Sequence, residues 1–160
     1  MSLFVVMGVS GCGKSSVASR LAAAKDGDFL DADDFHPRAN KAKMAAGIPL
    51  QDEDRAGWLD TLNEELMSRA ANGRDTFLAC SALRQLYRDR LSAGLPNLGF
   101  IYLKGSPEAI RSRLETRTDH FMPATLLESQ FSTLEEPTDA LTVSIEQPLD
   151  LVVQEILSRI

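Results

Sequence analysis

Gly8-Val9-Ser10-Gly11-Cys12-Gly13-Lys14-Ser15, followed by Ser16, matches G-x-x-x-x-G-K-[ST] at every fixed position. The chemistry of that spacing is anion binding. Glycines let a loop turn its N–H groups inward around a phosphate, and a helix beginning at the loop adds unpaired donors and partial positive charge. Lys14 can then reach β- and γ-phosphates, and the Ser15 hydroxyl can ligate Mg²⁺. The apolar run Leu3–Met7 precedes the loop, and Ser16–Ala22 leaves it with helical spacing. Together they predict strand, loop and helix, the setting that a triphosphate site requires.

Acidic and basic residues farther along supply the rest of a transfer site. Asp31-Ala32-Asp33-Asp34-Phe35-His36-Pro37 follows a short apolar run. Alternation along an extended chain puts Asp31 and Asp33 on one side. One carboxylate can support Mg²⁺ while the other orients or deprotonates a hydroxyl; the alternative is a solvated turn with Asp33 or Asp34 as a helix cap. Arg55 stands beside Asp52, Glu53 and Asp54, either as an anion ligand or as a surface ion pair. Arg84 and Arg88, and again Arg113 and Arg117, are four apart and can share helical faces. Arginines at a lid can stack on adenine and neutralise a phosphoryl group, whereas solvated faces are the plain alternative. His120 reads equally as a site or a packing residue. The backbone at Gln147-Pro148 can border a base.

The elements that position these residues follow from periodicity. Five short apolar runs, at 3–7, 28–30, 77–80, 100–103 and 141–145, lack clean alternation, as strands covered on both faces do. Helical stretches between them predict an α/β fold: an open, parallel five-stranded sheet with helices on both faces. Ligands in such sheets lie beyond the carboxyl ends of the strands. The stretch 34–73 is longer than a simple crossover and reads as a helical substrate flap; 117–124 reads as a short lid. The whole of 1–160 reads as a single domain.

Composition narrows the classes further. At 160 residues, 44% hydrophobic and 25% charged, the chain reads as an ordinary globular domain. Its net charge of −6 argues against a nucleic-acid surface, and no apolar run is long enough for a membrane span. Cys12 and Cys80 form no zinc or disulfide pattern, which fits a reducing cytoplasm. Asp54-Arg55-Ala56-Gly57 imitates a GTPase switch motif but follows no strand, and Asn40-Lys41-Ala42-Lys43 lacks the aspartate that reads guanine. The residues alone therefore reach ATP-dependent phosphotransfer. A kinase for shikimate or a nucleoside monophosphate and a non-catalytic ATP-binding module both remain open.

Beyond single motifs, the chain resembles the gluconate kinases, relatives of shikimate and adenylate kinases among P-loop small-molecule kinases. The likeness rests on Met7–Ser16, Asp31–Pro37, Asn40–Met44, Pro49–Arg55 with Trp58-Leu59, and Cys80-Ser81-Ala82-Leu83. It continues through Tyr87–Asp89, Phe100–Gly105, His120–Met122, Ser129–Phe131 and Leu134–Pro137. Arg84 departs from the lysine that often follows Cys-Ser-Ala-Leu. The resemblance implies transfer of the ATP γ-phosphoryl group to the 6-hydroxyl of D-gluconate, with ATP and Mg²⁺ required. It implies Ser15 and Asp31 at the metal, and Lys14, Asp33 and Arg117 in catalysis. His36, Arg55, Arg84 and His120 fall to the acceptor, and Arg113, Arg117, Gln147 and Pro148 to the nucleotide. Related gluconate kinases are commonly dimers, although no dimer face is legible here.

Overall fold

The computed structural model describes residues 2–115 and 124–160, except the side chains of residues 124 and 125. Five strands, β1 (Leu3–Met7), β2 (Asp28–Asp31), β3 (Thr76–Ala79), β4 (Gly99–Lys104) and β5 (Leu141–Ser144), make one sheet in the order β2-β3-β1-β4-β5. Every pairing is parallel, with Val5 opposite Leu78 on one side and Phe100 on the other. The central strand β1 is thus flanked twice, and Val5, Val6 and Met7 are fully buried. Burying each such side chain contributes about 1.5–3 kcal/mol.

The helices are α1 (Lys14–Ala24), α2 (Arg38–Ala45), α3 (Asp52–Ala71), α4 (Gln85–Leu91), α5 (Pro107–Glu115), α6 (Ala124–Thr133) and α7 (Leu149–Arg159). Alternation along the strands divides the interior into two cores. Val6, Phe77, Ile101, Leu103 and Val143 pack with α1, α5, α6 and α7. Leu3, Val5, Met7, Leu78 and Tyr102 pack with α3 and α4. Coverage on both faces holds for the inner strands, whereas on edge strand β2 Phe29 stands exposed.

The stretch expected as a flap, 34–73, divides in two. Trp58, Leu59, Leu62 and Leu66 recur along one face of α3 and are buried against the sheet, as their helical spacing requires. α2 and the turn after it stay at the surface, with Met44 and Ile48 exposed. A capping box starts α3: the Gln51 side chain accepts from the Asp54 N–H while the Asp54 carboxylate accepts from the Gln51 N–H. Asp54 also takes both oxygens to Lys43 Nζ, at 2.8 and 2.9 Å, and so joins α2 to α3. Arg117, His120 and residues 117–123 of the expected lid lie outside the described residues.

Candidate active site

The loop after β1 folds as its glycines demand. Gly13, at φ 94°, enters α1 in the left-handed region, which residues with a Cβ resist. At Gly8 an added Cβ would lie 2.7 Å from Cys12 Sγ and 3.0 Å from the Leu103 carbonyl oxygen. No side chain caps α1 and its first turn carries no acid, so its N-terminal N–H groups and dipole face the loop uncompensated. Lys14 Nζ lies back over the loop and donates to the Val9 carbonyl at 3.3 Å. Burial pushes the Cys12 thiol up and that of Cys80 up to about 12, so both are neutral packing groups rather than nucleophiles.

β2 delivers Asp31 to this loop. The Ser15 hydroxyl donates to Asp31 Oδ2 at 3.1 Å, which joins the two residues expected at the metal. Oxygen donors of this kind suit Mg²⁺, which takes one or two protein oxygens and completes its shell with water and phosphate. Among the described residues no group of three or more His, Cys, Asp or Glu could hold a metal by itself. The donor set therefore fits Mg²⁺ shared with a nucleotide.

Asp31 and Asp33 do not alternate along an extended chain. Ala32–Phe35 forms a 3-10 turn, and Asp31 caps it by accepting from the Asp33 N–H at 3.0 Å. The cap is the first acid rather than Asp33 or Asp34. The turn leaves Asp33 exposed, and among the described residues its carboxylate accepts no hydrogen bond.

His36 ends the turn in a buried position, stacked on Trp58 with ring centroids 4.0 Å apart. The Trp58 indole N–H donates to the Ala32 carbonyl at 2.8 Å, which fixes the ring beneath the turn. Asn40 Nδ2 lies 3.3 Å from His36 Nδ1 and donates to the Asp54 carbonyl at 2.8 Å. With Asn40 as donor, the neutral imidazole carries its proton on Nε2. Burial lowers the His36 pKa; Asp33 opposes this, while Arg55 and Lys41 add to it. Asp33 and Arg55 thus stand close enough to His36 to act on its charge.

Arg55 is not paired with the acids beside it. Its Nη1 donates to the Leu50 carbonyl at 2.8 Å and to the Tyr87 hydroxyl at 3.2 Å. Asp54 is taken by Lys43, and Asp52 by Arg84 at 2.7 Å and by the Tyr87 hydroxyl at 2.6 Å. Arg84 Nε also lies 3.7 Å from Glu135. Arg84 and Arg88 do not act as one anion-binding face. Arg88 is buried and gives its Nη1 and Nη2 N–H groups to the Ala82 and Glu135 carbonyls, both at 2.7 Å, and to Gln85. It fastens the loop after β3, where Ala82 sits at φ 46°, a strained value for a residue with a side chain.

On the nucleotide side, Arg113 donates to the Cys12 carbonyl at 3.3 Å and the Ile145 carbonyl at 3.1 Å, bridging the phosphate loop to the end of β5. The Gln147 side chain holds its own loop, donating to the Ser144 carbonyl and to Glu155. Pro148 begins α7. A residue not singled out from the sequence completes this side. Gln130, on α6, accepts from the Ser10 N–H at 2.7 Å and donates to the Ser10 hydroxyl at 3.0 Å. Tyr87, Asp52 and Asn40, which the structure joins to Arg55, Arg84 and His36, lie in segments that carry the family resemblance but were not read as candidate site residues, because nothing local to them distinguishes a helix-packing aromatic or a first-turn acid from a ligand.

A parallel sheet with a phosphate loop after its central strand and a carboxylate on the loop serine defines a P-loop nucleotide-binding protein. The family model described as "AAA domain" matches residues 3–137. The thermoresistant gluconokinase of Escherichia coli is 49% identical over 94% of this chain and 89% of its own length. A gluconokinase of Arabidopsis thaliana is 40% identical over 99% of this chain and 92% of its own. The crystal structure of a gluconokinase from Sinorhizobium meliloti 1021 superposes with a TM-score of 0.90 at 43% identity, covering 98% of this chain and 90% of that one. The chain belongs to the gluconokinase family within the P-loop kinases.

Proposed function

We propose that this protein transfers the γ-phosphoryl group of ATP to the 6-hydroxyl of D-gluconate, giving 6-phospho-D-gluconate and ADP. The observation that carries this reading is the 3.1 Å hydrogen bond from Ser15 to Asp31, which sets the acidic turn after β2 against the phosphate loop. A nucleotide-binding module needs an acid such as Asp31 at the metal, but it has no need of a second one two residues on; in a kinase Asp33 has the acceptor hydroxyl to orient. The sugar acid as acceptor is supported by the gluconokinase relatives.

In this reading the loop N–H groups and Lys14 bind the phosphates. Ser15 and Asp31 would hold Mg²⁺, which supplies neutralisation of phosphate charge when bound. Asp33 orients the 6-hydroxyl and receives its proton as the new P–O bond forms and the bond to the ADP oxygen breaks. Because the transition state is largely dissociative, orientation matters more than early deprotonation. His36, Arg55 and Arg84 face the acceptor, with Arg113, Arg117, Gln147 and Pro148 at the nucleotide and His120 at the acceptor's edge. The chain works as one kinase domain in the cytoplasm on a small molecule, with no nucleic-acid or membrane partner.

The test is ADP release by the purified protein with gluconate, shikimate and nucleoside monophosphates. Turnover stimulated by gluconate is the expected result. A preference for shikimate or a nucleotide would overturn the substrate, and no stimulation by any acceptor would overturn the kinase.

A further inference from the structure

Two guanidinium groups lie over one aromatic ring in the acceptor half. Arg55 Cζ is 5.3 Å and Arg84 Cζ 5.7 Å from the centroid of Tyr87. Their mutual repulsion is offset by the ring's negative face and by Asp52, which is hydrogen-bonded to both Arg84 and the Tyr87 hydroxyl. The Tyr87 hydroxyl first, and Arg84 after it, hold the Asp52 carboxyl below the usual carboxylate range, so this counter-charge persists at neutral pH.

The compensation is unequal. Arg84 has two acids, Asp52 and Glu135. Among the described residues Arg55 has no carboxylate within ion-pair distance, and both its hydrogen bonds leave from Nη1. Its Nε and Nη2 therefore present a fixed pair of N–H donors, the arrangement that binds a carboxylate through two parallel hydrogen bonds. Two groups hold this edge, the Leu50 carbonyl and the Tyr87 hydroxyl, and the side chain of the two is that of Tyr87. It is buried, it accepts from Arg55, and it is itself held by Asp52 across 35 residues of sequence.

We propose that Tyr87 is a specificity-determining positioning residue: through its hydroxyl and ring it aims Arg55 at the carboxylate of the acceptor. The enzyme thereby distinguishes a sugar acid from a neutral polyol of the same length. This rests on the sugar-acid reading above and adds the residue that enforces it. Tyr87 acts through Arg55 and does not touch the transferring phosphoryl group.

The experiment compares the wild type with Tyr87→Phe, which keeps the ring and removes the hydroxyl, using D-gluconate and the neutral D-glucitol as acceptors. Losing a hydrogen bond to a charged group costs about tenfold in binding. The gluconate KM is expected to rise by about that factor, with kcat within about twofold. The KM for ATP should stay put, and the preference for gluconate over glucitol should fall in parallel. Asp52→Asn, which weakens the hold on Tyr87 without changing its size, should move the same ratio in the same direction, and serves if Tyr87→Phe melts early. Tyr102→Phe, which removes a hydroxyl bonded to Glu136 at 3.1 Å outside this cluster, should leave the ratio alone. An unchanged gluconate KM in folded Tyr87→Phe overturns the proposal, as does an equal loss on both acceptors, the mark of a merely structural role. If the wild type shows no gluconate turnover, the sugar-acid reading falls and this inference with it. If the wild type is active and the variant is unchanged, this inference alone falls.

Discussion

Around the phosphate loop the groups that face a ligand are main-chain N–H donors, held by glycine geometry and the uncapped start of α1. Around Tyr87 they are side chains that meet across 32 to 35 residues of sequence and hold one another through hydrogen bonds and charge. The first construction tolerates little variation, because backbone conformation allows few substitutes, and it recognises a chemistry common to all nucleotides. The second can be re-aimed by changing one side chain, and in the proposed assignment it recognises what is particular to one acceptor. Splitting a kinase cleft this way lets one donor site serve many substrates.

Variants that act on one half and spare the other test that division. The largest effect is expected for Lys14→Met, a loss of about a thousandfold in kcat. Its Tm should be close to wild type, since Lys14 makes one long hydrogen bond, to Val9. An equally large rise in the gluconate KM would blur the boundary between the halves. Asp33→Asn comes next, with kcat down by about a hundredfold and ATP affinity retained; near-normal turnover would remove Asp33 from the reaction. Gln130→Ala gives up both bonds to Ser10, each contributing about 1 kcal/mol, and should raise the KM for ATP several-fold. A change confined to gluconate would move Gln130 to the acceptor half.

The smallest effect concerns His36. Burial depresses its folded-state pKa, so well above the ordinary value of about 6.5 both folded and unfolded chains are neutral there and stability is full. As pH falls below that value the unfolded chain takes up a proton first, and stability is lost until the folded-state pKa is passed. Tm measured from pH 8 to 5 should decline below about 6.5 in the wild type and decline less in His36→Gln. Equal slopes would mean that His36 titrates normally.

Much of the donor half was legible because its information is local. Gly8–Ser15 fixes loop, donors and charge within one stretch, and the five apolar runs marked all five strands of the sheet. The order β2-β3-β1-β4-β5, which brings Asp31 to Ser15, is a tertiary fact that no run of residues states. The acceptor half was legible as residue types and not as partners. Arg55 among three acids looks like a surface ion pair until the fold gives Asp54 to Lys43 and Asp52 to Arg84. Asp33 and Asp31 were expected along an extended chain, yet hydrogen bonding to the Asp31 side chain coils the turn instead. Tyr87 and Gln130 carry no local signature, since a helical aromatic and a helical glutamine are ordinary wherever they occur.

Trp58 is the only tryptophan in the chain, and it is stacked on His36 at the base of the acceptor turn. Its emission is therefore an intrinsic reporter on that half of the cleft. An imidazolium ring in contact with indole quenches it more strongly than a neutral imidazole, so fluorescence follows the charge on His36 as pH is lowered. Any acceptor that shifts the turn from Ala32 to His36 changes the same signal without a label or a coupled assay. Nucleotide bound at the phosphate loop alone, which meets this turn through Ser15 and Asp31, should change the emission less than the acceptor does.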